Sequence, residues 1–151
     1  MARLIRDRLS DERGFTLIEL LAVILIIGIL AAIALTTFLG HKDRSEDAVA
    51  KTNARAILGQ VESCFASNAN YTLCDTVAEL GGNTDVPWGT NPGETSVTAS
   101  SQLSYEIEAV SMSALDGSQH VFTIAKDVST GVITKTCTPV DSGGCPSSGN
   151  W

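Results

Sequence analysis

The chain has 151 residues, with 17 Asp and Glu against 10 Lys and Arg, a formal charge of −7 and 44% hydrophobic residues. That length suits one domain, and an acidic balance without a Lys/Arg cluster beyond the first residues excludes a general nucleic-acid-binding surface. Four cysteines and two histidines, with no CxxC spacing, argue against a zinc site.

The opening segment, MARLIRDRLSDERG, places Arg3, Arg6, Arg8 and Arg13 just ahead of an apolar run. From Leu20 to Leu35 that run holds nothing more polar than Gly28. Extended to Phe15 and Leu39 it predicts a helix of 25 residues, about 37 Å long, against a hydrocarbon core of about 30 Å. The leader arginines predict a cytoplasmic N-terminus and an exported C-terminal part. One carboxylate, Glu19, interrupts the run, where a charge costs on the order of 2.5–3.5 kcal/mol and calls for a partner. Cleavage between Gly14 and Phe15 would supply one. The new Phe15 ammonium would lie four residues from Glu19, in the same chain or on a neighbouring copy. Without cleavage, Glu19 would reach Arg13 and the segment would be a plain membrane anchor. Ala32-Ile33-Ala34 also fits an ordinary secretory signal ending near Leu35, but Glu19 would then break its apolar region.

Past Leu39 the stripe narrows. Ala50, Ala54, Ile57, Val61 and Phe65 recur at helical spacing and no proline precedes Pro87, which predicts one helix from Phe15 to Ala66. Ser67-Asn68-Ala69-Asn70 should stop it. Residues 71–100 read as connection, with one helical turn at Thr76–Leu80 capped by Asp75 or Thr76. From Leu103 the period becomes two. Leu103, Tyr105, Ile107 and Ala109 form a half-buried strand, followed by His120–Ala125 after Asp116-Gly117 and Val132–Thr136 after Gly131. The amphipathic half-helix and the sheet each need the other as cover, so the expected fold class is α+β, with three to four antiparallel strands.

On the exported side an even cysteine count favours disulfides. Three pairings of Cys64, Cys74, Cys137 and Cys145 are open; we adopt the local ones, Cys64–Cys74 and Cys137–Cys145. Chemistry is sparse otherwise. His41 reads as a solvated flank residue, His120 as a sheet residue, and neither has an evident nucleophile arrangement. Asp43, Glu46 and Asp47 read as a wet helix face. Asp127 and Asp141 lack calcium-loop spacing, and Asn70-Tyr71-Thr72 is a lone glycosylation sequon. No catalytic residue, metal ligand or cofactor is expected.

Arg13 followed by Gly14-Phe15-Thr16-Leu17-Ile18-Glu19-Leu20-Leu21 resembles the prepilin leader and cleavage motif of type IV pilins and their pseudopilin relatives. The resemblance implies removal of residues 1–14 by a prepilin peptidase, N-methylation of Phe15, and a role for Glu19 in docking each subunit onto a filament. It implies a filament-core helix at 15–39 and a head at 40–151. The head would comprise an amphipathic helix (40–66), a connecting loop (67–102), a sheet (103–137) and an exposed loop (137–151) like the disulfide-bounded region of many pilins. Implied partners are other copies of the chain, membrane lipid before assembly, the peptidase, an inner-membrane platform protein and an assembly ATPase. Where pilins often have proline, this chain has Thr36. The alternatives are a type II secretion pseudopilin and a monomeric membrane-anchored binding module.

Overall fold

The computed structural model describes residues 14–113 and 117–151, so the leader before Gly14 and Asp116 of the expected turn lie outside the described residues. The chain divides into two compact units, Met1–Phe38 and Leu39–Trp151. One helix, α1, runs Leu17–Asn68 over 52 residues, close to the expected span. Its start is made by a reciprocal cap. Thr16 N–H and Oγ donate to the Glu19 carboxylate (2.8 and 2.7 Å), and the Glu19 N–H donates to Thr16 Oγ1 (3.3 Å). Its end is made by Ala69, held left-handed at φ 52°, with its N–H returning to Phe65 O at 2.7 Å.

In the second unit α1 buries Ala50, Ala54, Ile57 and Val61, one stripe at i, i+4, i+7 and i+11. Against it lies a four-stranded antiparallel meander in the order β1 (Thr95–Ser100), β2 (Tyr105–Val110), β3 (Val121–Lys126) and β4 (Ile133–Thr138). Period-two alternation turns Tyr105, Ile107 and Ala109 of β2, Phe122 and Ile124 of β3 and Cys137 of β4 into the core. Each large apolar side chain fully buried there stabilises the head by about 1.5–3 kcal/mol.

Strand β1 corrects the sequence reading, which took residues 67–102 as connection. Its sequence, TSVTAS, has one large apolar residue and so no legible alternation. Pairing with β2 makes the strand, through a register shift between Val97 and Ala99. Leu103 is also corrected: it is exposed and precedes the strand, which starts at Tyr105. The expected turn at Thr76–Leu80 is present, capped reciprocally by Thr76 and Glu79, whose Oγ1–Oε2 distance is 2.8 Å.

Disulfides join Cys64 to Cys74, fastening the end of α1 to the following loop, and Cys137 to Cys145, closing the C-terminal loop onto β4. That loop is docked at its far end as well. Cys137 N–H donates to Gly149 O (2.8 Å), Trp151 Nε1–H donates to Thr136 O (2.7 Å), and the Trp151 ring meets Phe122 edge-on at 5.7 Å.

Candidate assembly site

The front of α1 is apolar on every side. Leu17, Ile18, Leu20, Leu21, Ile24, Ile27 and Leu30 are all at least half exposed. By length and composition this is a helix able to cross a membrane. Gly14 and Phe15, the expected cleavage pair, are exposed at its foot. Glu19 sits one turn in with its carboxylate held by Thr16. Thr16-x-x-Glu19 is a capping box written in the sequence, and the sequence reading, intent on Phe15, passed over it. Within the single chain Glu19 therefore already has hydrogen-bond donors, and no cation pairs with it among the described residues.

The head carries two polar knots that hold elements far apart in sequence. Asp47, read from sequence as part of a wet face, is instead fully buried. Its carboxylate lies 2.9 and 3.0 Å from His120 Nδ1 and accepts from Gly144 N–H at 2.6 Å, while His120 Nε2 lies 3.1 Å from Ser142 Oγ. Asp43, from the same run, accepts from Ser113 Oγ at 2.7 Å. Close approach at the loop requires glycine. A Cβ on Gly143 (φ 54°) would strike the Asp47 carboxylate and come within 2.7 Å of His120 Cε1, and one on Gly144 would come within 2.9 Å of Asp47 Cβ. The contact order serine–histidine–aspartate is that of a hydrolytic triad. His120 is only 1% exposed, however, so no substrate reaches its ring. The arrangement works as a clamp tying α1, the start of β3 and the C-terminal loop together.

In the second knot Lys126 donates to Tyr71 Oη (2.6 Å), Tyr71 donates to Glu62 (3.0 Å) and Tyr105 donates to Glu62 (2.9 Å). The hydrogen bond to Tyr71 holds the Lys126 ammonium above its usual range, and burial, followed by Glu62, pushes the Tyr105 phenol far up. Phe65 stacks on Tyr71 at 4.0 Å beneath it. His41 is exposed, as expected of a flank residue. Asp127 accepts from Ser129 and Thr130 in its own turn (2.6–2.9 Å), bonds that lower its carboxyl to about 2. Asn70 caps the short 3-10 turn Tyr71–Leu73. No group of three metal-ligating side chains comes together among the described residues.

These features define a class: α+β proteins built on an N-terminal helix that is apolar at its front and covers an antiparallel sheet at its back. Comparison with known proteins narrows it. The family model for the prokaryotic N-terminal methylation motif matches residues 9–35. The chain is 34% identical over 89 residues to the type IV narrow pilus major component PilA5 of Thermus thermophilus, covering 57% of this chain and 77% of that one. It is 46% identical over 70 residues to the type IV major pilin protein PilA of Myxococcus xanthus, covering 46% of this chain and 31% of that one. It is 32% identical over 60 residues to the type II secretion system core protein G of Dickeya chrysanthemi, covering 40% and 39%. The matches to the last two thus span well under half of those relatives. No solved structure matches. The chain belongs to the type IV pilin and pseudopilin family.

Proposed function

We propose that this chain is a structural subunit of a type IV pilus. It is cut after Gly14, N-methylated on Phe15, held by residues 15–39 in the cytoplasmic membrane with its N-terminus inside, and then packed into a helical filament on the cell surface. The carrying observation is the apolar front of α1, exposed on every side with a single carboxylate near its foot. Placing that surface in water would cost tens of kcal/mol, at about 1.5–3 per large side chain. Moving it from lipid into a bundle of like helices is nearly balanced, because lipid tails are about as apolar as leucine. A modest push from an assembly ATPase through a platform protein then suffices.

Cleavage makes an ammonium at Phe15. Glu19 gives up Thr16 for the ammonium of a neighbouring copy, and because a misplaced copy leaves a buried carboxylate unpaired, the pair sets axial register. The chain's part is to bind and position; it performs no catalysis. Glu19→Ala in the producing bacterium tests this: the variant should accumulate in the membrane while sheared surface filaments vanish. Filaments of normal abundance would refute the role of Glu19, and a mature N-terminus other than Phe15 would refute the processing.

A second reading has support of its own, since type II secretion core protein G of several bacteria also matches. In that case the filament would be short and confined to a secretion machine. Electron microscopy of sheared fibres, with mass analysis of their protein, separates the two.

A further inference from the structure

After Phe15 the chain has six bases among many more acids: Lys42, Arg44, Lys51, Arg55, Lys126 and Lys135. Two are spent locally, Lys42 on Glu46 (3.1 Å) and Lys126 on Glu62 (3.4 Å). The other four gather at one place. Arg44, Lys51 and Arg55, at i, i+7 and i+11 of α1, line a cleft of about 550 Å³ with Trp151 and Gly144. Lys51, Arg55 and Lys135 lie 5.8, 5.0 and 5.6 Å from the Trp151 ring. Two acids, Asp43 and Asp141, share the cleft. Asp43 accepts from Ser113 Oγ (2.7 Å), and neither acid comes within ion-pair distance of a cleft cation among the described residues. Lys51 donates to Gly144 O (2.6 Å); burial lowers its ammonium from the usual range, Asp47 opposes that and Arg55 adds to it. The fold thus holds like charges together, a cost that an anion in the cleft relieves.

The position of the cleft narrows the anion. In chain order its lining begins at Gly40, the first residue after the apolar run that ends at Leu39. Arg44 is five residues beyond Leu39, about 7.5 Å at helical rise. Helical side chains lean towards the N-terminus, here the apolar end. A headgroup layer is about 5–8 Å deep, and the Debye length at physiological salt is about 8 Å. Arg44 therefore reaches headgroup phosphates when residues 15–39 lie in lipid. Its guanidinium fork suits a phosphodiester, which it can meet with two parallel hydrogen bonds. Lys51 and Arg55 lie further along the helix and add field rather than contact.

We propose that this cleft binds the phosphodiester of an anionic phospholipid headgroup, with Arg44 as the contact, while the subunit is held in the membrane. The proposal rests on the membrane-held state of the reading above. A lipid bound there is released before the front of α1 leaves for a filament, so the contact weights the balance towards the membrane.

The test uses the full chain in nanodiscs of equal phosphatidylglycerol and phosphatidylcholine, with the lipids that stay on the released protein counted by native mass spectrometry. Phosphatidylglycerol should be retained in preference, and Arg44→Gln should cut that preference about fivefold, the worth of one base near a membrane surface. Arg44 is exposed and makes no ion pair among the described residues, so the variant head should melt as the wild type does. Arg44→Lys keeps the charge and should keep most of the preference. Lys42→Gln removes the same charge nearer the apolar run but outside the cleft, and should leave the preference intact. Equal retention of the two lipids overturns the proposal. An equal loss from Lys42→Gln also overturns it, by reducing the site to general surface charge. So does a fluorescence change of the lipid-free chain in detergent on adding inorganic phosphate, lost in Arg44→Gln, because the cleft would then take free phosphate. If the chain does not stay in the nanodiscs, the membrane-held reading itself falls; if it stays and shows no lipid preference, only the headgroup site falls.

Discussion

Ile26 and Ile57 are the same residue on the same helix, yet one is 57% exposed and the other 0%. Around Ile57 the chain supplies its own cover: Ile107, Phe122 and Ile124 of the sheet and Tyr71 of the following loop close over α1. Around Ile26 the described residues supply none. The head therefore carries its stability with it, whereas the front of α1 is complete only in surroundings that other molecules provide, lipid or further copies. The same contrast holds for carboxylates. Asp47 is fully enclosed by His120 and the Gly144 N–H, whereas Glu19 is held by one threonine at an exposed helix start.

Five variants test that division, the largest effects first. Phe122→Ala should destabilise the head by about 3–5 kcal/mol, read as a lower melting temperature of the detergent-solubilised full chain, while Ile26→Ala should leave that melt unchanged. Ile26→Lys should reverse the pattern. It should cost about 2.5–3.5 kcal/mol of membrane insertion, read as a loss of protein from the membrane fraction, with no effect on head melting. Replacing Cys137 and Cys145 together by serine should cost about 2–3 kcal/mol by removing a short closed loop, and should free the C-terminal loop to proteases ahead of the rest of the head. The smallest effect concerns Asp127. Its carboxyl is lowered in the folded head by Ser129 and Thr130, so its contribution is present above the ordinary aspartate range and disappears as pH falls toward about 2. The turn bonds at 127–130 should loosen over that window, checked by the carboxyl-linked chemical shifts, and Asp127→Asn should remove the titration.

Much of this was legible without coordinates. The apolar run, the lone Glu19 and the stripe Ala50, Ala54, Ile57, Val61 are patterns within one helix, where each residue's neighbours lie three or four positions away. The alternation in β2 is local in the same sense. The Thr16–Glu19 cap was equally local and was overlooked because a charge in an apolar run drew the reading toward a cationic partner, the Phe15 ammonium or Arg13. The wet face assigned to Asp47 failed for a different reason: the residue that buries it, His120, is 73 positions on, and the loop that completes the enclosure is 97.

What the sequence determined by itself is the chemistry that acts at short range: a helix with an apolar front, a carboxylate near its start, an amphipathic rear and a sheet to cover it. What only the tertiary structure decided is which polar groups meet. Hydrophobic patterning leaves a signal because burial repeats with the backbone's own period. A single hydrogen bond between distant segments has no period. Strand β1, the Asp47–His120 clamp and the cations around Trp151 therefore appear only once the chain has folded back on itself.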